Sequence, residues 1–174
     1  KGVELSNKNL NAAARNINKR MGINDNVIES SPMRLSHSFG FARLRCVFEA
    51  GGTIILENGF INPLLIISNI KKYDANGFSS VPSGFKILLN YFENYFREIC
   101  LQIEYFEIGS SAMSLDQKKK LMKFCPKSKI FMHYGLTEAS RSAFIEFHSD
   151  KSKIESVGKV TPNVTINIKK GSLE

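Results

Sequence analysis

Apolar positions along the chain recur with two periods, and the alternation between them lays out the fold. Leu10, Ala13, Ala14, Ile17 and Met21 keep the spacing of one helical face, with Ser6 placed to cap the helix and Gly22 to end it. A strand is expected near residues 26–30 and a helix over 39–49. Thr53-Ile54-Ile55-Leu56 then reads as a β-branched buried strand after the Gly51-Gly52 turn. Asn62 and Pro63 open the next helix as cap and first-turn proline. Residues 78–81 predict a strand, and Pro82 starts a helix whose Phe85, Leu88, Leu89, Phe92 and Phe96 form one core-facing stripe. A strand follows over 102–108. Ser114 and Gln117 form a capping box for a helix reaching Phe124, and Pro126 stops it. Lys129-Ile130-Phe131-Met132 is a short apolar run of the kind that forms a strand buried on both faces. Beyond Glu138 the pattern gives shorter extended pieces at 142–147 and 164–168.

Helix and strand alternate strictly up to that change, which predicts an α/β fold: a largely parallel sheet flanked by helices, with right-handed crossovers. In such a sheet the loops leaving the carboxyl ends of the strands share one rim, where ligands bind. Those loops are Leu35-Ser36-His37-Ser38-Phe39-Gly40, Val81-Pro82-Ser83-Gly84, Gly109-Ser110-Ser111-Ala112 and Tyr134-Gly135-Leu136-Thr137-Glu138. All are rich in glycine, serine or reactive side chains, whereas the opposite rim holds mainly polar turns.

Composition narrows the class. With 174 residues the chain can bury one sizeable core, and 43% hydrophobic with 23% charged residues is the balance of a soluble globular domain. No apolar run reaches the roughly 18 residues of a membrane span. No secretory signal is visible, so a cytoplasmic setting is expected, although Lys1 is not a natural start and an upstream segment is expected too. Cys46, Cys100 and Cys125 are widely spaced with no Cys-x-x-Cys pair, which predicts buried thiols rather than a zinc site or a disulfide. The net charge of +8 is concentrated at Lys118, Lys119, Lys120, Lys123, Lys127 and Lys129. A solvated helix face accounts for that patch. It lacks the interleaved aromatics of a nucleic-acid site, and no nucleic-acid partner is expected; steep salt-dependent binding would be the mark of that third reading.

The chemistry concentrates in Tyr134-Gly135-Leu136-Thr137-Glu138. An aromatic ring can stack on a base, glycine admits close approach of a ligand to the backbone, a threonine hydroxyl can bond a phosphate oxygen, and a glutamate offers the hard oxygen that Mg²⁺ prefers. The pattern suits ATP and its magnesium ion; the bland alternative is a strand-to-helix turn with a buried tyrosine and an exposed glutamate.

At these residues the chain resembles the acyl-adenylate-forming enzymes, the superfamily of acyl-CoA synthetases, luciferase-like ligases and peptide-synthetase adenylation domains. Residues 134–138 match its Tyr-Gly-x-Thr-Glu motif. Lys1 to Leu10 resembles the end of its phosphate loop running into the following helix, Leu35 to Gly40 its histidine-containing loop at the acyl pocket, and Gly109-Ser110-Ser111-Ala112-Met113-Ser114 its adenine loop, with Ala112 where proline is usual. Ser156-Val157-Gly158-Lys159-Val160 resembles its later Gly-Lys-Pro turn, with valine replacing proline. The likeness covers nearly the whole chain in the family's order.

The resemblance implies a central piece of that family's large amino-terminal domain, covering residues 1–174, with the rest of the phosphate loop upstream and a mobile carboxyl-terminal domain bearing a catalytic lysine downstream. It implies ATP-dependent activation of a carboxylic acid as an acyl-adenylate, then transfer to a thiol of CoA or of a carrier protein's phosphopantetheine arm. Tyr134 would stack on adenine with Gly109, Ser110, Ser111, Ala112 and Gly135 around the base. Thr137 would contact the α-phosphate, Glu138 would hold Mg²⁺, Lys1 would approach the outer phosphates and His37 would stand near the acyl carboxylate. His133 and His148 read as structural. Phe39-Gly40-Phe41-Ala42 offers no acid to pair with a substrate ammonium, which favours an uncharged acyl or aryl carboxylic acid. The piece alone is expected to be inactive, and to expose apolar surface where the rest of the parent docks. A non-catalytic adenine-nucleotide-binding module is the alternative.

Overall fold

The computed structural model describes residues 2–168. Among the described residues six α-helices and one seven-stranded sheet follow in the order α1 (Asn7–Met21), β1 (Ile28–Ser31), α2 (Ser38–Glu49), β2 (Thr53–Leu56), α3 (Pro63–Lys72), β3 (Gly77–Ser80), α4 (Pro82–Tyr91), α5 (Glu93–Ile99), β4 (Tyr105–Ile108), α6 (Leu115–Phe124), β5 (Lys129–Tyr134), β6 (Ala143–Glu146) and β7 (Lys159–Val160). The local signals act as the sequence predicts. Ser6 and Ser114 close reciprocal capping boxes with Asn9 and Gln117, Asn62 accepts from Leu65 N, and Gly22 ends α1 in the left-handed conformation.

The sheet order is β2-β1-β3-β4-β5-β6-β7, with β1 to β5 parallel and the last two strands antiparallel. From β1 the chain crosses through α2 to β2, then turns back over β1 through α3 to β3. Crossovers of one hand running in opposite directions place helices on opposite faces. One face packs α1 and α2 residues Ala14, Ile17, Met21, Cys46 and Val47 on Tyr105, Phe131 and Phe144. The other packs Ile70, Phe85, Leu88, Phe96 and Leu121 of α3 to α6 on Phe78, Phe106, Ile108 and Ile130.

Several expectations are corrected. The helix begun by Pro82 breaks at Phe92, whose φ of −128° and ψ of 30° end α4 and start α5, although the Phe85–Phe96 stripe stays continuous with the core. Residues 164–168 form no strand. The short last strand lies earlier, at 159–160, because a turn at Thr161 to Val164 with Asn163 at φ 61° carries the chain off the edge of β6. Cys100 and Cys125 form a disulfide between the ends of α5 and α6, their Cα atoms 4.9 Å apart; sequence spacing gave no sign that those ends converge. Cys46 is free and buried. The lysine patch is not uniformly solvated either: Lys118 is buried, donating from Nζ to Ile154 O at 2.6 Å, and Lys120 pairs with Glu93 at 3.0 Å. Exposed apolar side chains do occur close together in the chain at Leu56, Ile61, Leu64 and Leu65.

Candidate functional site

The rim at the carboxyl ends of β1, β4 and β5 holds three adjoining cavities. The first, about 460 Å³, lies between the loop after β4 and the end of β5, with Ser110, Ser111 and Ala112 on one wall and Tyr134 and Gly135 on the other. Met113, Met132 and Ile145 give it an apolar floor. The second, about 310 Å³, is lined by Ser38, Ser110, Gly135, Thr137, Glu138 and Arg141. The third, about 690 Å³, runs between α1 and α2 and is bordered by His37, Arg45, Thr137 and Glu138.

The residues singled out in the sequence are therefore brought together. Tyr134, Thr137 and Glu138 are exposed, and Thr137 Oγ1 donates to Ser38 Oγ at 3.3 Å, tying the motif to the start of α2. His37 caps α2 without a side-chain cap bond, and Ser38 at the helix start borders two of the cavities, so first-turn N–H groups left without a cap stand beside the rim. Two glycines are required by contact. A Cβ on Gly109 would stand 2.0 Å from the His133 ring, and one on Gly135 would stand 2.5 Å from Arg141 N. Gly109 thus lies beneath the cavities rather than in them. Lys1 lies outside the described residues.

Under this rim, on the α2 side, sits a buried polar cluster. Arg43 of α2, fully buried, forks onto Glu29 and brings Nη1 to 2.9 Å from Glu107 Oε2. Ser79 Oγ donates to Glu29 Oε1 at 2.8 Å, and the Tyr105 hydroxyl bonds the same carboxylate. Arg141 Nε donates to Glu107 Oε1 at 2.9 Å, and its ring neighbour is Phe39, 4.9 Å from the guanidinium. His133 Nδ1 lies 2.7 Å from Glu107 Oε1. Burial would raise the Glu107 carboxyl, yet the Arg141 and Arg43 charges outweigh it and hold the group well below the usual carboxylate range. Burial and the nearby Arg141 push His133 down, so its ring is neutral at pH 7 despite Glu107.

Sequence reading missed this cluster, His133 apart, which it took as structural. One signal was available: Arg43 sits within the apolar helical stripe of Phe39, Cys46 and Val47, where a cation needs a buried partner.

The donor set also suits the divalent cation that the family resemblance implies. Among the described residues no group of three or more His, Cys, Asp or Glu could hold a metal by itself. Glu138 is an exposed carboxylate beside hydroxyls at the rim, and Mg²⁺ is commonly held by one or two carboxylates together with substrate phosphates.

The chain is similar to known proteins. The chain is 27% identical to 4-coumarate–CoA ligase-like 2 of Arabidopsis thaliana over 94% of its own length and 29% of that protein's. It is 26% identical to tyrocidine synthase 3 of Brevibacillus parabrevis over 81% of its length and 2% of that protein's. It superposes on o-succinylbenzoate coenzyme A synthetase of Bacillus subtilis in complex with ATP and magnesium ion with a TM-score of 0.83, at 20% identity, covering 98% of this chain and 35% of that one. The chain thus spans less than a third of the length of the first curated relatives it matches. The family model for the AMP-binding enzyme matches residues 1–173, and the chain belongs to that family.

Proposed function

We propose that the protein containing this chain activates a carboxylic acid with ATP as an acyl-adenylate and passes the acyl group to a thiol. The observation that carries the reading is the meeting of three rim loops: the Ser110–Ala112 wall faces Tyr134 across one cavity, while Thr137 and Glu138 border the next two, beside His37. Adenine fits the first cavity, stacked on Tyr134 over an apolar floor. The triphosphate then runs past Gly135 toward Thr137, whose hydroxyl reaches the α-phosphate, and Lys1 is assigned to the outer phosphates. Magnesium, when bound, neutralises phosphate charge, and Glu138 is the residue that would hold it.

The acid is already ionised near neutral pH, so no general base is needed. Its carboxylate oxygen forms a bond to the α-phosphorus as the bond to pyrophosphate breaks. Attacker and target are both anionic, which makes oriented donors at Thr137, His37 and the open start of α2 the chain's own contribution. A thiol sulfur then attacks the acyl carbon and AMP leaves. The relatives' names favour CoA as acceptor, and the peptide-synthetase match keeps a carrier-protein phosphopantetheine as the second choice. The carboxylates behind the rim, Glu29 and Glu107, are already matched by Arg43 and Arg141. Neither of these two buried acids is left over for a substrate ammonium, which supports an uncharged acyl or aryl acid. We assign residues 1–174 to the central part of the amino-terminal domain, inactive by themselves.

Pyrophosphate exchange by the intact protein with a panel of carboxylic acids tests the reading. Acid-dependent exchange is expected. Nucleotide binding without exchange by any acid would replace it with a non-catalytic adenine-nucleotide module.

A further inference from the structure

The segment that carries Tyr134, Gly135, Thr137 and Glu138 is held weakly by its own bonds. Leu136 and Ala139 exchange backbone hydrogen bonds of 3.0 and 3.2 Å, Thr137 reaches Ser38, and the side chains from Leu136 to Ala139 are exposed. The firm contacts lie just outside it. His133, immediately before Tyr134, brings Nδ1 to 2.7 Å from Glu107 Oε1. Arg141, shortly after Glu138, donates to that same oxygen at 2.9 Å and is only 2% exposed. The other Glu107 oxygen lies 2.9 Å from Arg43 Nη1, on the helix that begins at Ser38. Glu107 itself lies near the end of β4, whose exit loop supplies Gly109, Ser110, Ser111 and Ala112.

We propose that Glu107 is a positioning residue: one buried carboxylate clasps both flanks of the nucleotide motif and, through Arg43, the middle of α2, and so fixes Thr137 and Glu138 relative to the wall at Ser110. Its kinetic consequence rests on the adenylation reading; its structural consequence does not. Directionality is the reason to assign it this role. A buried ion pair adds little net stability over apolar packing of equal volume, but it dictates where each partner sits. The cluster is balanced, with Glu29 and Glu107 matched by Arg43 and Arg141 while His133 is neutral. Removing Glu107 and Arg141 together therefore leaves the Glu29–Arg43 pair intact and no buried charge alone.

The test is the double variant Glu107→Gln/Arg141→Met in the intact protein, with Arg141→Lys as a milder companion that keeps the charge and loses the planar fork. Amide hydrogen exchange is followed at residues 134–142 and at β3 and β4, together with pyrophosphate exchange below the melting transition. Faster exchange confined to 134–142 is expected, with kcat/KM for ATP lower by on the order of 10- to 10²-fold, the scale of a small misplacement of reacting groups. Arg141→Lys should fall between the double variant and wild type. Unchanged exchange at 134–142 in a folded variant overturns the clasp, as does wild-type kcat and KM. If the double variant does not fold, Arg141→Lys alone decides by the same measurements. If the wild-type protein shows no acid-dependent pyrophosphate exchange, the adenylation reading falls and hydrogen exchange still decides the clasp.

Discussion

On the face covered by α3 to α6 the strands present Phe78, Phe106, Ile108 and Ile130; on the face covered by α1 and α2 the same strands present Ser79, Tyr105, Glu107 and His133. The first is held by apolar burial and edge-on rings such as Phe85–Phe106, 5.8 Å between centroids. Contacts of that kind are non-directional and tolerate volume-conserving exchange. The second is held by carboxylates and guanidiniums whose partners are specified atom by atom. The directional face is the one that runs up to Thr137 and Glu138. A sheet that must place a few polar groups to within a fraction of an ångström gains from rigid, oriented supports beneath them.

The largest effects should expose this difference. Arg43→Met leaves Glu29 without its cation and should cost about 3–5 kcal/mol. Phe85→Ala, which opens a cavity on the other face, should cost about as much. The second-site response separates them. Adding Glu29→Gln to Arg43→Met should recover at least about 1 kcal/mol by removing the stranded charge, whereas Glu29→Gln combined with Phe85→Ala should make matters worse. Urea unfolding of the intact protein measures all four; absence of any recovery would mean that the two faces do not differ in kind.

Next in size is Glu138→Gln, which probes the rim rather than either face. Charge is removed where the proposed reaction would gather negative charge, and the carboxylate is exposed and supports no core. Turnover should fall on the order of 10²-fold or more while the melting temperature stays within experimental scatter. Added Mg²⁺ should restore part of the rate if metal affinity is the defect. Normal turnover in a well-folded variant would remove Glu138 from the mechanism.

Acid should act mainly on the α1–α2 face, because the lowered carboxylate on the other, Glu93 beside Arg97 and Lys120, lies at the surface and its pairs are screened. Unfolded His133 takes up a proton near pH 6.5, whereas burial holds the folded ring's value lower; its contribution is complete above that pH and is lost as pH falls through it. Glu107 titrates in the unfolded chain near 4.5 and well below that in the folded one, so its contribution is lost at still lower pH. The stability curve should thus begin to drop below pH 6.5 and steepen below 4.5, each group giving at most about 1.4 kcal/mol per pH unit. His133→Gln should flatten the first stage, and Phe85→Ala should lower the whole curve without changing its shape. A first stage that persists without His133 would assign it elsewhere.

The same contrast explains what the sequence could and could not disclose. Stripes such as Phe85, Leu88 and Leu89, the caps at Ser6 and Ser114, and the rim motif are local patterns, and the structure places them as expected. Strands β1, β3 and β4 read Ile-Glu-Ser-Ser, Gly-Phe-Ser-Ser and Tyr-Phe-Glu-Ile, in which buried Glu29, Ser79 and Glu107 look like solvent-facing residues. Their partners Arg43 and Arg141 lie 14 and 34 residues away, a pairing that only the folded sheet creates. The ends of α5 and α6, joined through Cys100 and Cys125, were hidden for the same reason. Local chemistry is legible from one segment; charge matching across crossovers is not.

The smallest expected effects set the control. Each face carries one helix with a reciprocal capping box: Ser6 accepts from Asn9 N at 3.1 Å at the start of α1, and Ser114 accepts from Gln117 N at 3.3 Å at the start of α6. Both caps are exposed and satisfy donors left over by helix geometry, so their value depends on the local turn and not on what the helix packs against. Ser6→Ala and Ser114→Ala should each cost about 1 kcal/mol, equally at pH 7 and pH 5, because no ionisable group takes part in either box. Neither should speed hydrogen exchange at residues 134–142. If Ser6→Ala proved costlier at pH 5 while Ser114→Ala did not, the acid sensitivity of the α1–α2 face would extend to its helix ends.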